Sequence, residues 1–331
     1  MQRALILAAG VAHASFAAAS VSGPVINSNF PDPGLLITGS GTYAYGTNGN
    51  GYNIQVASSS DGGNTWSVHA QDALPNVGSW AVGNNGLTWA PDVIDRGDGT
   101  FVMYYAAESP SQGTHCVGAA TSTNPLGPFS PQAQPIDCNT SGGGAIDPSG
   151  FQDTDGTRYV AYKVDGNNLG GGGSCGNGDG SHSTPIMLQQ LQGDGVTPIG
   201  SPIQILDRGQ YDGPLIEAPK IIYRDGLAHG QQTDDGIEIS PSYALFFSSN
   251  CYNTDLYDVS YATASSVKGP YTKAAAPLLV TGNDGLTAPG GMTPSPDGSW
   301  AVFHATTNSN PLTRPMYTAK LSWNGNVATA A

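Results

Sequence analysis

Charge is scarce in this chain of 331 residues, and positive charge most of all: Lys and Arg number 11 against 25 Asp and Glu, for a formal net charge of −14. Such an acidic surface repels nucleic acid and anionic membranes, which leaves a neutral or weakly charged partner, such as a polysaccharide, as the better fit. Long apolar runs are also missing. The stretch 4–12 is nine residues long, whereas a bilayer span needs about twenty. No long amphipathic helical pattern occurs. The four cysteines, Cys116, Cys138, Cys175 and Cys251, contain no C-x-x-C spacing, which argues against a zinc site. The glycine-rich stretch 170–180 lacks the Lys-Ser/Thr of a phosphate loop and precedes no helical pattern, so nucleotide binding is rejected and a surface loop is expected.

Glycine and proline are plentiful, at 46 and 24, and 38% of the residues are hydrophobic. That is too apolar for a disordered chain, and the turn residues point to many short strands. The N-terminus has the layout of a secretory signal: Arg3, the apolar stretch 4–12, then small-residue cleavage sites at Ala12-His13-Ala14 and Ala17-Ala18-Ala19. Residues 1–19 are therefore expected to be a signal peptide, with one domain over 20–331. An even number of cysteines in an oxidising compartment suggests two disulfides. Three pairings are possible, and Cys116–Cys138 with Cys175–Cys251 is preferred because the first pair is close in sequence. Asn139-Thr140-Ser141 is an N-glycosylation acceptor.

Short runs rich in aromatic and β-branched residues read as strands, among them 100–105, 158–162, 243–247 and 300–304. Three follow Asp-Gly turns, at Asp98-Gly99, Asp155-Gly156 and Asp297-Gly298, which tolerate the positive φ of tight hairpins. A weak repeat underlies them. A proline beside small or acidic residues recurs at Asp32-Pro33, Ala90-Pro91, Asp147-Pro148, Ala218-Pro219 and Ala288-Pro289, in steps of 58, 57, 71 and 70 residues. A second echo pairs 120–129 with 262–271, each resembling an outer strand that ends in a Gly-Pro corner. Five multi-strand units predict a single-domain, all-β, five-bladed β-propeller, with a β-sandwich as the alternative. The motif before each first strand would then lie at one mouth of the central channel.

Three of the five motifs carry an acid: Asp32, Asp147 and, after Leu215-Ile216, Glu217. Acids inside apolar runs are costly unless paired or used. Glycoside hydrolysis needs two carboxyl groups, one protonated and one ionised, and a third negative charge nearby raises the pKa of the one that must stay protonated. The expectation is that each acid sits at the same place in its own blade. Ordinary turn capping is the bland alternative for each singly. Sugar rings pack on aromatic faces, so Phe30, Trp80 and Trp89 are candidate platforms. Arg314 is expected either to pair with a channel carboxylate or to tie the last strand. The stretches 60–85 and 165–185 are expected to form the pocket rim.

Taken together, Asp32-Pro33, Trp89-Ala90-Pro91-Asp92, Asp147-Pro148-Ser149 and Glu217-Ala218-Pro219 resemble family 43 of the glycoside hydrolases, from Asn29 to about Trp323. The resemblance implies a five-bladed propeller that inverts configuration. Asp32 would be the general base, Glu217 the general acid, and Asp147 the residue that orients Glu217 and raises its pKa. It implies no required cofactor, although related enzymes hold a calcium or other ion on the channel axis near a histidine that His304 matches. The expected substrate is an arabinose- or xylose-containing polysaccharide. An exo-acting α-L-arabinofuranosidase comes first, with a β-xylosidase or endo-arabinanase as alternatives; the absence of a second sandwich domain tilts the choice from xylosidase. A secreted monomer is expected. A propeller lectin that binds without cleaving is the competing reading, but it would not need three acids at blade starts.

Overall fold

Each predicted Asp-Gly turn joins the first two strands of a sheet. Asp98-Gly99 links Thr88–Asp95 to Phe101–Ser109, Asp155-Gly156 links Ala145–Gln152 to Arg158–Val164, and Asp297-Gly298 links Gly290–Pro294 to Trp300–His304. The three glycines have φ of 84°, 86° and 66°, the region where only glycine is unstrained. The computed structural model describes residues 20–82, 87–224, 232–233, 236–237 and 242–330. The expected signal peptide at 1–19 lies outside them.

Five antiparallel blades follow one another along the chain. Blades 1 to 4 each run in sequence order from the innermost strand outward. Their strands are Gly34–Thr38, Gly41–Gly46, Gln55–Ser59 and Ser67–Val68; then Thr88–Asp95, Phe101–Ser109, Thr114–Ser122 and Ser130–Pro131; then Ala145–Gln152, Arg158–Val164, Ile186–Leu191 and Pro198–Leu206; then Ile216–Arg224, Ser242–Ser249, Asp258–Ala264 and Thr272–Lys273. Blade 5 takes Gly290–Pro294, Trp300–His304 and Met316–Asn324 from the C-terminal end, and its next strand is Val21–Ile26 from the N-terminal end. That pairing closes the ring between the two ends of the chain. The Gly-Pro corners at Gly127-Pro128 and Gly269-Pro270 lie between the third and fourth strands of blades 2 and 4, as the echo predicts.

The core lies between neighbouring blades. Tyr45 and Val56 of blade 1 meet Met103 and Tyr105 of blade 2; Tyr104 meets Val160; Ala161 and Leu188 meet Ile221 and Leu245; Phe246 meets Phe303; Val302 and Met316 meet Leu35 and Ala44. Middle strands are covered on both faces, which is why Ser242–Ser249 is buried at every position and its centre, Tyr243 to Phe247, reads as an unbroken apolar run.

The repeat has a backbone signature. The residue before the motif proline has positive φ in all five blades: Asp32 54°, Ala90 44°, Asp147 54°, Ala218 54° and Ala288 46°. In blades 2 to 4 the pairing register slips there, a β-bulge that turns the strand end into the channel mouth, whereas in blade 5 the slip falls after the motif, between Gly290 and Thr293, around Gly291 with φ 59°. This alignment corrects one expectation. Asp32 and Asp147 are equivalent, but the equivalent of both in blade 4 is Ala218, so Glu217 sits one residue earlier. A one-residue step along a strand sends a side chain in a different direction, and Glu217 therefore reaches the pocket from another angle.

Candidate active site

A pocket of about 650 Å³ opens at the channel mouth, and Asp32, Asp147 and Glu217 all line it, with Thr47, Trp89, Lys163, Asp165, Tyr252, Tyr257 and Arg314 around them. A depression of about 750 Å³ at the outer edge of blade 4, beside Tyr261 and Lys273, holds no acid.

Asp32 is held as an anion. Its Oδ1 lies 3.3 Å from the Arg314 guanidinium, and its Oδ2 accepts from the Thr47 hydroxyl at 2.7 Å. Burial alone would raise its pKa, but Arg314 foremost, with Thr47 and Lys220, outweighs burial and holds it below the usual carboxylate value. Arg314 thus pairs with a channel carboxylate, one of the two roles expected for it, and its guanidinium also lies 5.1 Å from the centre of the Tyr252 ring.

Asp147 goes the other way. Burial first, then the neighbouring charge of Glu217, pushes it up to about 8, against the opposing pull of Lys163 and of the Ala218 N–H, which donates to its Oδ2 at 2.9 Å. Glu217 accepts on both oxygens, from the Tyr257 hydroxyl at 2.8 Å and from the Lys163 ammonium at 2.9 Å. Asp147 and Glu217 therefore act on one another, and Glu217 is ion-paired to Lys163.

Sequence reasoning missed Lys163, Tyr257 and Thr47. Lys163 had a signal, since a lone lysine inside the apolar strand Arg158–Val164 of so cation-poor a chain calls for a buried partner. Tyr257 and Thr47 sit just outside strands in runs of ordinary turn residues and give none.

The aromatic candidates divide. Trp89 lines the pocket and stacks on His115 with centroids 3.6 Å apart, which fixes the ring as a platform. Phe30 and Trp80 do not line it. Phe30 is fully buried between blades 5 and 1, against Gly46, and Trp80 stacks on Tyr105 in the core of blades 1 and 2. Closeness in sequence to a motif does not say which face a ring takes. The rim divides likewise. Asn167, Asn168, Gly170, Gly172, Cys175 and Gly176 form one wall, whereas within 60–82 Ala73 and Leu74 are buried in the blade 1 and 2 core and no residue lines the pocket; residues 83–85 lie outside the described ones. Both expected disulfides are present, Cys116–Cys138 and Cys175–Cys251, and the second bridges this wall to the loop that carries Tyr252.

His304 is fully buried beneath Asp32. Its Nδ1 accepts from the Asp32 N–H at 3.0 Å, and burial lowers its pKa to about 3, so the ring is neutral and its proton sits on Nε2. That Nε2 has no protein partner. A protonated nitrogen is a donor and not a ligand, so a metal does not fit directly on His304. Among the described residues no group of three or more His, Cys, Asp or Glu is arranged to hold a metal ion.

Comparison with known proteins agrees with this geometry. The profile of Glycosyl hydrolases family 43 matches residues 21–327. The extracellular endo-α-(1→5)-L-arabinanase of Thermotoga petrophila is 29% identical over 160 residues, 40% of this chain and 33% of its own length. The β-D-galactofuranosidase xynD of Aspergillus niger is 25% identical over 300 residues, 85% of this chain and 75% of its own. The chain therefore spans only about a third of the arabinanase. A crystal structure of a thermostable family-43 glycoside hydrolase superposes with a TM-score of 0.70 at 26% identity, covering 91% of this chain and 92% of the other. With five blades in a ring, an acid-lined channel mouth and a family match over nearly its whole length, this chain belongs to family 43 of the glycoside hydrolases.

Proposed function

We propose that the protein is a secreted, monomeric, exo-acting α-L-arabinofuranosidase that removes arabinose from arabinan or arabinoxylan with inversion at the anomeric carbon. The observation that carries the chemistry is the divergence of two equivalent carboxyls in one pocket: Asp32 is held ionised by Arg314, while Asp147 is pushed up to about 8. Pairs driven apart in this way mark the base and the acid side of a site.

Asp32 takes a proton from water as the water oxygen bonds to the anomeric carbon. On the opposite side the glycosidic C–O bond breaks, and Glu217 protonates the departing oxygen. The proton that Glu217 delivers is held by the coupled Asp147–Glu217 pair, within which burial and the neighbouring charge push Asp147 up to about 8. Asp147 thus keeps the acid side loaded, and the Tyr257 hydroxyl fixes Glu217 by its 2.8 Å bond. Trp89 offers its face to the sugar ring. A furanose substrate is favoured by the arabinanase and galactofuranosidase relatives, and secretion by the two disulfides together with the relative named extracellular.

The purified protein should release arabinose from nitrophenyl α-L-arabinofuranoside and from linear arabinan, and little from nitrophenyl β-D-xyloside. Arabino-oligosaccharides accumulating early from linear arabinan would establish endo action instead, and preference for the xyloside would make it a xylosidase. NMR of the first-formed sugar should show the β-anomer. Glu217→Gln should lower kcat by about 10²–10⁴-fold with an unchanged melting temperature.

A further inference from the structure

Lys163 is the most deeply buried charge in the pocket wall, 1% exposed, and the chemistry assigned above gives it no role. It rises from the second strand of blade 3, opposite Ile146 and Ile186, and crosses to blade 4. Its ammonium lies 2.9 Å from Glu217 Oε2 and 3.2 Å from Asp165 Oδ1. Burial would lower its pKa, but Glu217, Asp165 and Asp147 together overcome that and keep it charged. A cation buried this completely, in a chain with 11 Lys and Arg in all, is costly unless its charge is used.

We propose that Lys163 is a positioning residue of the acid side: its ammonium, shared between Asp165 and Glu217, aims Glu217 at the departing oxygen and sets how firmly the Asp147–Glu217 pair holds its proton. The proposal rests on the assignment of Glu217 as the acid. The groups facing the pair are few. They are Asp32 of blade 1 with its own cations Arg314 and Lys220, Asp165 beside Lys163, the Tyr257 hydroxyl of blade 4 and, acting on Asp165, His115 of blade 2. Lys163 is the cation in direct contact with Glu217. Without it the paired carboxyls would bind their proton more tightly. With a less divided ammonium they would release it more readily.

The two sides of that balance give predictions of opposite sign, read on the alkaline limb of kcat/KM, where the acid loses its proton. Lys163→Met removes the cation and should move that limb up by about one pH unit or more, the size of effect expected of one contacting charge, while the acidic limb, set by Asp32, stays in place. Asp165→Asn leaves the ammonium to Glu217 and Asp147 and should move the limb down. Lys163→Arg should return it towards the wild-type position. A kcat loss in Lys163→Met with both limbs superposed on wild type would make Lys163 a packing residue only and overturn the proposal. So would an Asp165→Asn limb that stays or rises. If Lys163→Met does not fold, the Lys163→Arg and Asp165→Asn profiles carry the test, and an unmoved limb in Asp165→Asn decides against it. Glu217→Gln separates the underlying assignment: a Glu217→Gln enzyme of normal activity refutes the acid, whereas an inactive one with unshifted Lys163 and Asp165 profiles refutes only the role of Lys163.

Discussion

Asp32 and Asp147 share a backbone conformation, φ 54° in each, before a proline in each. Left-handed aspartates of this kind cost on the order of 1–3 kcal/mol apiece and persist where the surroundings over-determine them. Their surroundings differ. Arg314 is within 3.3 Å of Asp32, whereas Asp147 has a backbone N–H and an acidic neighbour. The consequence reaches stability. An aspartate whose folded pKa is raised stabilises the fold fully only while it is protonated in both states, below the ordinary value of 3.8, and that contribution is lost as pH climbs towards about 8. Asp147→Asn keeps an acceptor for the Ala218 N–H and cannot ionise. The variant should therefore match wild type near pH 4 and gain a melting-temperature advantage on the order of 5 °C by pH 8–9, seen by calorimetry across pH. A constant difference at all pH values would mean that Asp147 is not the group that holds the proton.

At the scale of elements, the pocket wall is a loop with two short 3-10 turns, Gly166–Leu169 and Ser174–Gly176, fixed at its edges. Gly170 packs so close to the carbonyl of Gly176 that a Cβ would lie 1.6 Å from it, so the loop can fold back on itself only with glycine there. The Cys175–Cys251 bridge ties it to blade 4, and Asn177 adds a 2.7 Å bond to the Pro214 carbonyl. Closing a segment of 76 residues stabilises by about 4 kcal/mol in the chain-entropy view. Replacing both cysteines by serine should therefore lower the melting temperature. It should also raise KM several-fold while kcat changes by less than about twofold, because the wall binds sugar and none of the reacting groups lies on it. A kcat loss as large as the KM rise would place the wall in the chemistry.

These elements also show what could be read in advance. The blade starts were legible because the proline motif recurs at a near-regular spacing, and the hairpins because glycine there is dictated by backbone sterics, which are local. The strand Val21–Ile26 was not, since its sequence is short, broken by Gly23-Pro24, and strand-like only through its partner Met316–Asn324. Phe30 and Trp80 were misplaced, and Lys163 was passed over, for one reason. Which side of a blade a residue faces depends on the neighbouring blade, and one chain segment carries no record of that.

Across the whole molecule three of the 11 Lys and Arg are gathered about the axis. Lys163 and Arg314 line the pocket, and Lys220 lies just beneath, bonded at 2.7 Å to Asp92, whose other oxygen accepts from the Gly150 N–H at 2.8 Å. The space under the acids, bounded by Asp32, Ala90, Asp147, Ala218, Lys220 and Gly291, so by every blade, measures about 10 Å³. That is room for about one water, not a hydrated cation. A positive charge beneath Asp32 is thus already supplied by a side chain, and the Nε2 of His304 is a donor. Treatment with EDTA followed by gel filtration is expected to leave both kcat/KM on an arabinofuranoside and the melting temperature within error of the untreated protein, and added calcium should raise neither. Lys220→Met should lower kcat in a way that calcium does not restore, and Lys220→Arg should recover part of it. A fall in melting temperature on chelation, reversed by calcium, would show that an ion is held despite the small cavity and that the ammonium of Lys220 does not take its place.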